Sequence, residues 1–395
     1  MSWRYSKTHF HEFRVPIPSG EALVRASCLR PRDIGAAEWH ICVAVPSRDG
    51  DPPERDLRAA YASAQQRLGL PPQSAVMGRV FASDLGRTQH AFGESPLLSP
   101  PAALSVVEQP PLPDGGLSLW AYHVSDGRLE KRPLASGVQL RRGRLRHLWT
   151  VGLTATRTAG GARAQTRDLF SAYCRWLETA GASLSRDVVR TWVYVADIDA
   201  DYAAMVDARR ELFATHGLAP DTHTIASTGI AGRCGLVPAR VGLDAYAVAG
   251  LRPEQIRFLS APSHLGPAAA YGSTFERGAE IRYGDRRHVV ISGTASISPT
   301  GAVLFEGDAA GQADRALDNV EALLRTAPAR LDDVAVAIVY LRSPTDYELV
   351  RSRVEARLPG SPTVFVHAPV CRPQWLVEIE CLAIQGSGDP RFAAF

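Results

Sequence analysis

The sequence of 395 residues lacks the features that mark several large classes of protein. It has no run of 18 apolar residues, so no transmembrane helix is predicted. The N-terminal stretch MSWRYSKTHFHEF is polar and aromatic, without the apolar region of a signal peptide. The net charge is only +3, which argues against broad electrostatic binding to nucleic acid. These absences predict a soluble, cytoplasmic protein with no membrane and no nucleic-acid partner.

Cysteine is also scarce. The six cysteines are scattered and include no Cys-x-x-Cys pair, a pattern typical of reduced thiols in the cytoplasm that offers no metal cage. The glycine-rich segment 225–235 lacks the strand–loop–helix context of a dinucleotide or phosphate site. No Ser-His-Asp order or His/Asp cluster stands out. The sequence therefore predicts neither a metal nor a cofactor.

What the chain does contain is an internal repeat. Segment 147–156 (HLWTVGLTAT) resembles segment 288–297 (HVVISGTASI). Each is followed by a helical pattern, a strand, and a second helix that opens on Asp-Tyr. The strands at 241–248 and 377–384 then occupy the same position in the two copies. Repeated alternation of strands and helices predicts small α+β units in tandem.

A fainter third copy is predicted at the N-terminus, where 39–47 has the pattern of a strand, 55–70 that of an amphipathic helix, and 75–85 that of a strand. A chain of this length is too long for one compact core, so several units are expected. The predicted division is 1–140 for a degenerate first unit, 141–252 for a second unit, 253–287 for a connector that carries a substrate-binding element, and 288–395 for a third unit with the catalytic residue.

The strand WLVEIEC (375–381) carries the strongest candidate for chemistry. Glu378 and Glu380 lie two positions apart and therefore share one face of the strand. One interpretation is a strand whose second face is in water. The other is that Glu378 is held partly desolvated as an acid. When the copies are aligned, Glu380 matches Asp244, whereas Glu378 matches Gly242, and this difference favours a special role for Glu378.

The last copy, roughly 285–385, resembles the YjgF/RidA family. The resemblance rests on ISGTAS, a Gly-Asp turn in EGD, the helix DNVEALL, the strand VYL and the terminal LVEIE. Members of this family form trimers of a small, chorismate-mutase-like α+β unit, with ligand sites in the clefts between subunits. The resemblance implies that several copies in one chain form a pseudo-trimer, and that the protein is a monomer.

The whole chain is more specifically similar to the chorismatases. It carries the FxR element of that family as Phe275 and Arg277, and it carries Cys371 and Arg372 seven and six residues ahead of Glu378. Chorismatases split chorismate into pyruvate and a cyclic acid without a cofactor or metal. The resemblance implies a pyruvate-releasing enzyme of secondary metabolism, of lyase or hydrolase type, whose small-molecule partner is chorismate.

This resemblance also implies roles for individual residues. Protonation of the enolpyruvyl methylene needs a carboxylic acid that is still protonated near neutral pH, and burial of Glu378 would provide one. Arg277 matches the arginine that holds a substrate carboxylate, with Tyr271 and Ser273 as neutral donors nearby. Arg372 either binds substrate or braces its loop.

Four further positions bear on the product. Gly293, Thr294 and Ala295 offer small side chains, so backbone amides can approach a ligand closely. In the family, a residue of this strand and the position of Cys371 influence which product forms. Cys371 is interpreted as a wall or proton-handling residue, or else as a small buried hydrophobe. It favours 3-hydroxybenzoate, whereas Ala295 leaves open hydrolysis to a dihydroxycyclohexadiene carboxylate and a mixture of 3- and 4-hydroxybenzoate.

Two functions of other classes remain open for the same cleft. A RidA-like deaminase that hydrolyses enamines or imines would use Glu378 to position water. Against it, Arg372 stands only six residues before Glu378, too close for the arginine element of that family. A non-enzymatic small-molecule binder would bind its ligand in the cleft without turnover.

Overall fold

A computed structural model describes residues 7–31, 36–48, 52–126, 129–156, 159–235, 239–268 and 272–395. Within these ranges the chain folds into three six-stranded sheets, each accompanied by helices. No helix in the described ranges is long and apolar enough to cross a membrane. The first unit comprises β1 (Thr8–Ile17), β2 (Gly20–Leu29), β3 (Ala37–Val45), α1 (Pro53–Leu68), β4 (Ala75–Ala82), α2 (Leu85–Glu94), β5 (Ala103–Glu108) and β6 (Leu117–Ser125).

The second unit follows directly along the chain. It comprises β7 (Glu130–Leu134), β8 (Gly137–Arg142), β9 (Leu145–Thr154), α3 (Gly161–Thr179), α4 (Leu184–Asp187), β10 (Val188–Val195), α5 (Ile198–Thr215), β11 (Ala226–Ala231) and β12 (Val241–Ala249). The third unit comprises β13 (Ile256–Phe258), β14 (Gly278–Arg282), β15 (Arg287–Ala295), α6 (Ala309–Thr326), β16 (Val334–Leu341), α7 (Tyr347–Arg357), β17 (Thr363–His367) and β18 (Val377–Gln385).

The three sheets share one strand order. It is β1-β2-β3-β6-β4-β5 in the first unit, β7-β8-β9-β12-β10-β11 in the second and β13-β14-β15-β18-β16-β17 in the third. In each sheet only the last pair is parallel. The same order in three consecutive segments confirms the predicted tandem of YjgF/RidA-like α+β units, including the faint copy at the N-terminus.

Two antiparallel strand pairs extend the units beyond the repeat that is visible in the sequence. Strand β8 pairs with β9 of the second sheet and β7 pairs with β8, although the sequence division ends the first unit at residue 140. Strand β14 pairs with β15 of the third sheet and β13 pairs with β14, although the sequence treats 253–287 as a connector. The connector segment therefore contains two strands of the third unit.

Local sequence signals explain where the helices form. Helix α6 begins after Asp308, whose carboxylate accepts a hydrogen bond from a backbone N–H of the first turn. Its apolar positions Ala313, Leu317, Val320 and Leu324 are all buried against the third sheet. The stripe predicted from the three- and four-residue spacing is confirmed.

Each of the three interfaces between units contains a buried arginine–carboxylate pair. A charge removed from water needs a partner, so each pair favours one relative position of its two units. Because the pairs join the first unit to the second, the second to the third and the third to the first, we refer to them as the ring of buried ion pairs. They are Arg79–Asp244 between the first and second units (3.1 Å), Arg190–Glu380 between the second and third (2.7 Å), and Arg286–Glu38 between the third and first (2.7 Å).

Candidate active site

A cleft between the second and third units contains most of the predicted site residues. It encloses about 1100 Å³ of empty space, at the upper end of the range for small-molecule sites. One wall comes from β15, β18 and the loop before β18, and the other from α5 and β11. The predicted residues that line it are Ser273, Arg277, Gly293, Ala295, Cys371, Arg372 and Glu378.

Two predicted residues are not placed in the cleft. Thr294 is fully buried, and its hydroxyl donates to the carbonyl of Ser292 at 2.8 Å. Side chains alternate along a strand, so Thr294 points away from the face that carries Gly293 and Ala295. Tyr271 lies outside the described residues.

Glu378 is buried in the cleft wall, with only 5% of its surface exposed. It pairs with Ala295 on one side and Tyr340 on the other in the third sheet. A Cβ atom at position 293 would lie 2.1 Å from Oε1 of Glu378. The missing side chain of Gly293 is therefore what makes room for the carboxyl group.

Burial controls the protonation of this carboxyl. Loss of hydration, together with the negative charge of Glu380, raises the pKa of Glu378 to about 8. Arg190 and Arg277 act in the opposite direction but do not cancel the rise. Glu378 therefore carries a proton at neutral pH, as a general acid must.

Glu380, two residues further along the strand, has a different environment. It is 4% exposed, so the interpretation of this strand face as solvated is wrong for both glutamates. Arg190 Nη2 donates to Glu380 Oε2 at 2.7 Å, and Trp192 Nε1 donates to Oε1 at 2.6 Å. The hydroxyl of Thr228 also donates to Oε2. These three donors fix the position of the Glu380 side chain beside Glu378.

Arg277 provides a positive charge in the same cleft. It is 7% exposed, donates to the carbonyl of Gly266 at 3.4 Å, and lies over the ring of Phe275 at 5.2 Å. Burial lowers the pKa of Arg277 to about 10, and the nearby Glu378 partly offsets that fall. The guanidinium is therefore still charged at neutral pH, and the FxR element positions it through Phe275.

The sequence analysis missed a second buried arginine, Arg209 of α5. Its Nε donates to Thr274 Oγ1 at 2.8 Å, and its Nη1 donates to Ser227 Oγ at 3.2 Å. When the repeats are aligned on Asp-Tyr, Arg209 matches Val354, which is buried in the third unit. A charged residue in place of a core valine is the same kind of difference between repeats that pointed to Glu378. The same comparison, applied to α5, identifies Arg209.

Cys371 contacts the second unit across the cleft. The hydroxyl of Tyr202 on α5 donates to its sulfur. Burial, reinforced by the nearby Glu378, raises the pKa of the Cys371 thiol to about 12. A thiol with such a pKa is neutral at physiological pH, which favours a wall or proton-handling role over nucleophilic attack.

Arg372 lies beside Cys371 and is half-buried at the cleft. Its Nη1 donates to the carbonyl of Gly301 at 3.2 Å, and its guanidinium lies 4.6 Å from the ring centre of Trp375. These two contacts brace the loop that leads into β18. The side chain also lines the cleft, so both roles foreseen for it are compatible with its position.

The raised pKa of Glu378 predicts a pH-dependent cost to stability. The unfolded chain has the ordinary pKa of 4.5, so it loses the proton as the pH rises from about 4.5, while the folded protein keeps it up to about 8. Wild-type stability is therefore lost over this interval. Above pH 8 we expect Glu378→Gln to have a larger free energy of unfolding than wild type, by an amount on the order of 5 kcal/mol.

Urea unfolding of both proteins between pH 5 and 9 measures this difference. The exposed Glu21 of β2 offers a control, because Glu21→Gln should give a difference in free energy of unfolding that hardly changes with pH. If the free energies of unfolding of Glu378→Gln and wild type changed with pH in parallel, Glu378 would have an ordinary pKa in the folded protein.

Comparison with known proteins supports the architecture. Residues 279–385 match the family model described as Endoribonuclease L-PSP. Over the whole chain, the fold is similar to that of a crystal structure of chorismatase, with a TM-score of 0.62 and 19% identity over 97% of this chain and 100% of that chain. This likeness confirms the predicted fold. No curated protein matches the sequence significantly.

Proteins of single-unit size match a part of the chain. They are RidA from the Antarctic bacterium Psychrobacter sp. (22% identity, TM-score 0.27, 32% of this chain and 98% of that chain) and a member of the YjgF family from Mycobacterium tuberculosis (26% identity, TM-score 0.27, 32% of this chain and 98% of that chain).

Proposed function

We propose that this protein is a chorismatase that converts chorismate into pyruvate and 3-hydroxybenzoate, with Glu378 as the general acid. The observation that carries the proposal is the buried carboxyl of Glu378, protonated at neutral pH, in a cleft that also holds the charged Arg277. The fold, similar to that of a solved chorismatase along 97% of the chain, supports the choice of substrate.

Chorismate is a dianion with one carboxylate on the ring and one on the enolpyruvyl group. Arg277 can bind a carboxylate through two parallel N–H donors, and Ser273 lies on the same side of the cleft. Arg209 of α5 also lines the cleft and donates to Thr274, three residues before Arg277. Two arginines in one cleft suit a substrate with two carboxylates.

The proposed chemical step is a proton transfer. Glu378 gives its proton to the terminal methylene carbon of the enol ether, which leaves an oxocarbenium-like centre at the neighbouring carbon. The resulting carboxylate of Glu378 then stabilises this cation. The hydroxyl oxygen on ring carbon C4 attacks the neighbouring C3 as the C3–O ether bond breaks, which releases pyruvate with the ether oxygen, and the hydroxyl proton returns to the carboxylate of Glu378. The resulting epoxide across C3 and C4 opens at its C4–O bond, C3 loses its hydrogen as a proton, and the oxygen that stays on C3 gains a proton, so the ring becomes aromatic. Chorismate is thus divided into pyruvate and 3-hydroxybenzoate with no net uptake of water.

The alternative products depend on water. If water adds during cleavage, the ring product is a dihydroxycyclohexadiene carboxylate. Cys371, neutral and bonded to Tyr202, forms an uncharged wall of the cleft near Glu378. Because a neutral thiol is a poor base for activating a water, this wall favours the internal rearrangement. Ala295 also lines the cleft and places one methyl group there that a glycine would not have. A mixture of 3- and 4-hydroxybenzoate is therefore the second expectation.

One observation favours a second function. The match of residues 279–385 to the Endoribonuclease L-PSP model covers the unit that carries Glu378. A RidA-like hydrolase of enamines or imines would use the same acid and the same Arg277. It would release ammonia from such substrates and leave chorismate intact.

The deciding experiment is incubation of the purified protein with chorismate, followed by chromatography of pyruvate and the ring products together. Equal amounts of pyruvate and 3-hydroxybenzoate support the proposal in full. Pyruvate together with a dihydroxycyclohexadiene carboxylate would support Glu378 as the acid but would make the protein a chorismate hydrolase. If chorismate is unchanged while ammonia is released from an imine substrate, the deaminase is the correct assignment. Binding of chorismate without any product would instead indicate a sensor.

The space beside the acid can be tested with Gly293→Ala. The added Cβ would lie 2.1 Å from Oε1 of Glu378, so the carboxyl must move away from its present position. A displacement of about 1 Å in a catalytic group can cost about 100-fold in rate, and we expect a loss of pyruvate release of that order. Steady-state assays of pyruvate measure it. The control is Gly93→Ala in α2, where a Cβ would meet nothing within 4 Å, and wild-type rates in both variants would contradict this geometry.

A further inference from the structure

A second cavity lies where the inner faces of the three sheets meet, away from the cleft that contains Glu378. Strands of all three units contribute to its lining, which is mostly aromatic and includes Trp120, Trp149, Trp192, Tyr122 and Tyr246. It is narrow and has room for only a few atoms of the size of water. We refer to it as the axial cavity.

Three buried donors line the axial cavity without a hydrogen-bond partner among the described residues. They are Nε2 of His40, Nε1 of Trp149 and Nη1 of Arg190. The three side chains are at most 6% exposed. A buried polar atom without a partner costs about 1–3 kcal/mol, so three beside one cavity call for a ligand that satisfies them.

The tautomer of His40 is determined by its neighbour. Trp120 Nε1 donates to His40 Nδ1 at 3.1 Å, so Nδ1 is an acceptor. Burial lowers the pKa of His40 to about 3, and the ring is therefore neutral. The remaining proton must be on Nε2, which makes this atom a donor. All three atoms without a partner, on His40, Trp149 and Arg190, are therefore hydrogen-bond donors.

The acceptors beside the axial cavity are already occupied. Glu380 accepts from Arg190, Trp192 and Thr228, as described above. Both oxygens of Glu38 also accept, one from Tyr122 and the other from Arg286 and His288. A water molecule would bring two donors to a site that mainly lacks acceptors. An acceptor-only ligand fits better.

We propose that the axial cavity binds a small monovalent anion, of the size of a halide or nitrate, through His40, Trp149 and Arg190. The small size of the cavity excludes larger anions. Since His40 belongs to the first unit, and Arg190 links the second unit to Glu380 of the third, the bound anion joins all three units. The inference does not depend on the proposed reaction.

Bromide is a suitable probe because its anomalous scattering reveals its position in a crystal. Crystals of the whole protein grown in sodium bromide should show an anomalous peak in the axial cavity, within hydrogen-bonding distance of the three nitrogens. The absence of a peak there, with water or nothing in its place, would overturn the proposal.

A solution experiment tests the donors. Thermal unfolding is followed against bromide concentration, with sulfate at matched ionic strength as the reference. Trp149→Phe removes one N–H but keeps a ring, and we expect its apparent bromide dissociation constant to rise at least tenfold. Trp176→Phe, a half-buried tryptophan of α3 away from the axial cavity, should bind like wild type. Equal bromide affinity in wild type and Trp149→Phe would contradict the site, and the crystallographic result stands if that variant fails to fold.

Discussion

Replacement of Glu378 by glutamine is expected to lower the rate of pyruvate release from chorismate by about 10²–10⁴-fold, the usual contribution of a general acid. Glutamine has almost the same shape but carries no transferable proton and forms no anion to stabilise the cation. Discontinuous chromatographic assays of pyruvate measure the loss. Binding of chorismate should be largely retained, because Arg277 and Arg209 are unchanged.

The pH dependence gives an independent signature of the same residue. The acid form of Glu378 is present below its pKa of about 8 and disappears above it, so wild-type kcat should be steady near neutrality and fall as the pH rises through 8. Glu94→Gln, which changes an exposed glutamate, should keep both the rate and the profile. An active Glu378→Gln enzyme with the wild-type profile would remove Glu378 from the mechanism.

The comparison of repeats explains how much of the site could be predicted. Glu378 stood out because Gly242 occupies its place in the second unit, and the structure buries it at an interface between units. Position 242 has no room for a side chain, since a Cβ there would lie 2.3 Å from the sulfur of Cys234. The two copies have thus diverged at this position: the third unit holds a carboxyl group there, whereas the second packs Cys234 against a glycine.

Contacts between units could not be predicted in the same way. Glu380 was matched correctly to Asp244, but its burial depends on Arg190, which is 190 positions away in the chain. The edge strands β7, β8, β13 and β14 were also not predicted as parts of their sheets, since strands of three to six residues give little periodicity. Local patterns specify the elements, whereas the partners of a buried charge are set by tertiary packing.

The ring of buried ion pairs predicts the largest effect on stability. In Arg79→Met the side chain keeps much of its volume against Trp192, over which the guanidinium lies at 4.3 Å. Asp244, however, is left as a buried charge whose remaining donors among the described residues are Tyr194 and the backbone N–H of Gly152. Removal of one partner from a buried pair costs about 3–5 kcal/mol, and we expect urea unfolding to show a loss of this size.

A second substitution tests whether the unpaired charge is the cause. In the double variant Arg79→Met, Asp244→Asn the charge is gone while the side-chain oxygen still accepts from Gly152, so most of the lost stability should return. The exposed pair of Arg325 and Glu321 is the control, because Arg325→Met should cost less than about 1 kcal/mol. If the double variant were as unstable as the single one, packing of Arg79 rather than its charge would hold the first and second units together.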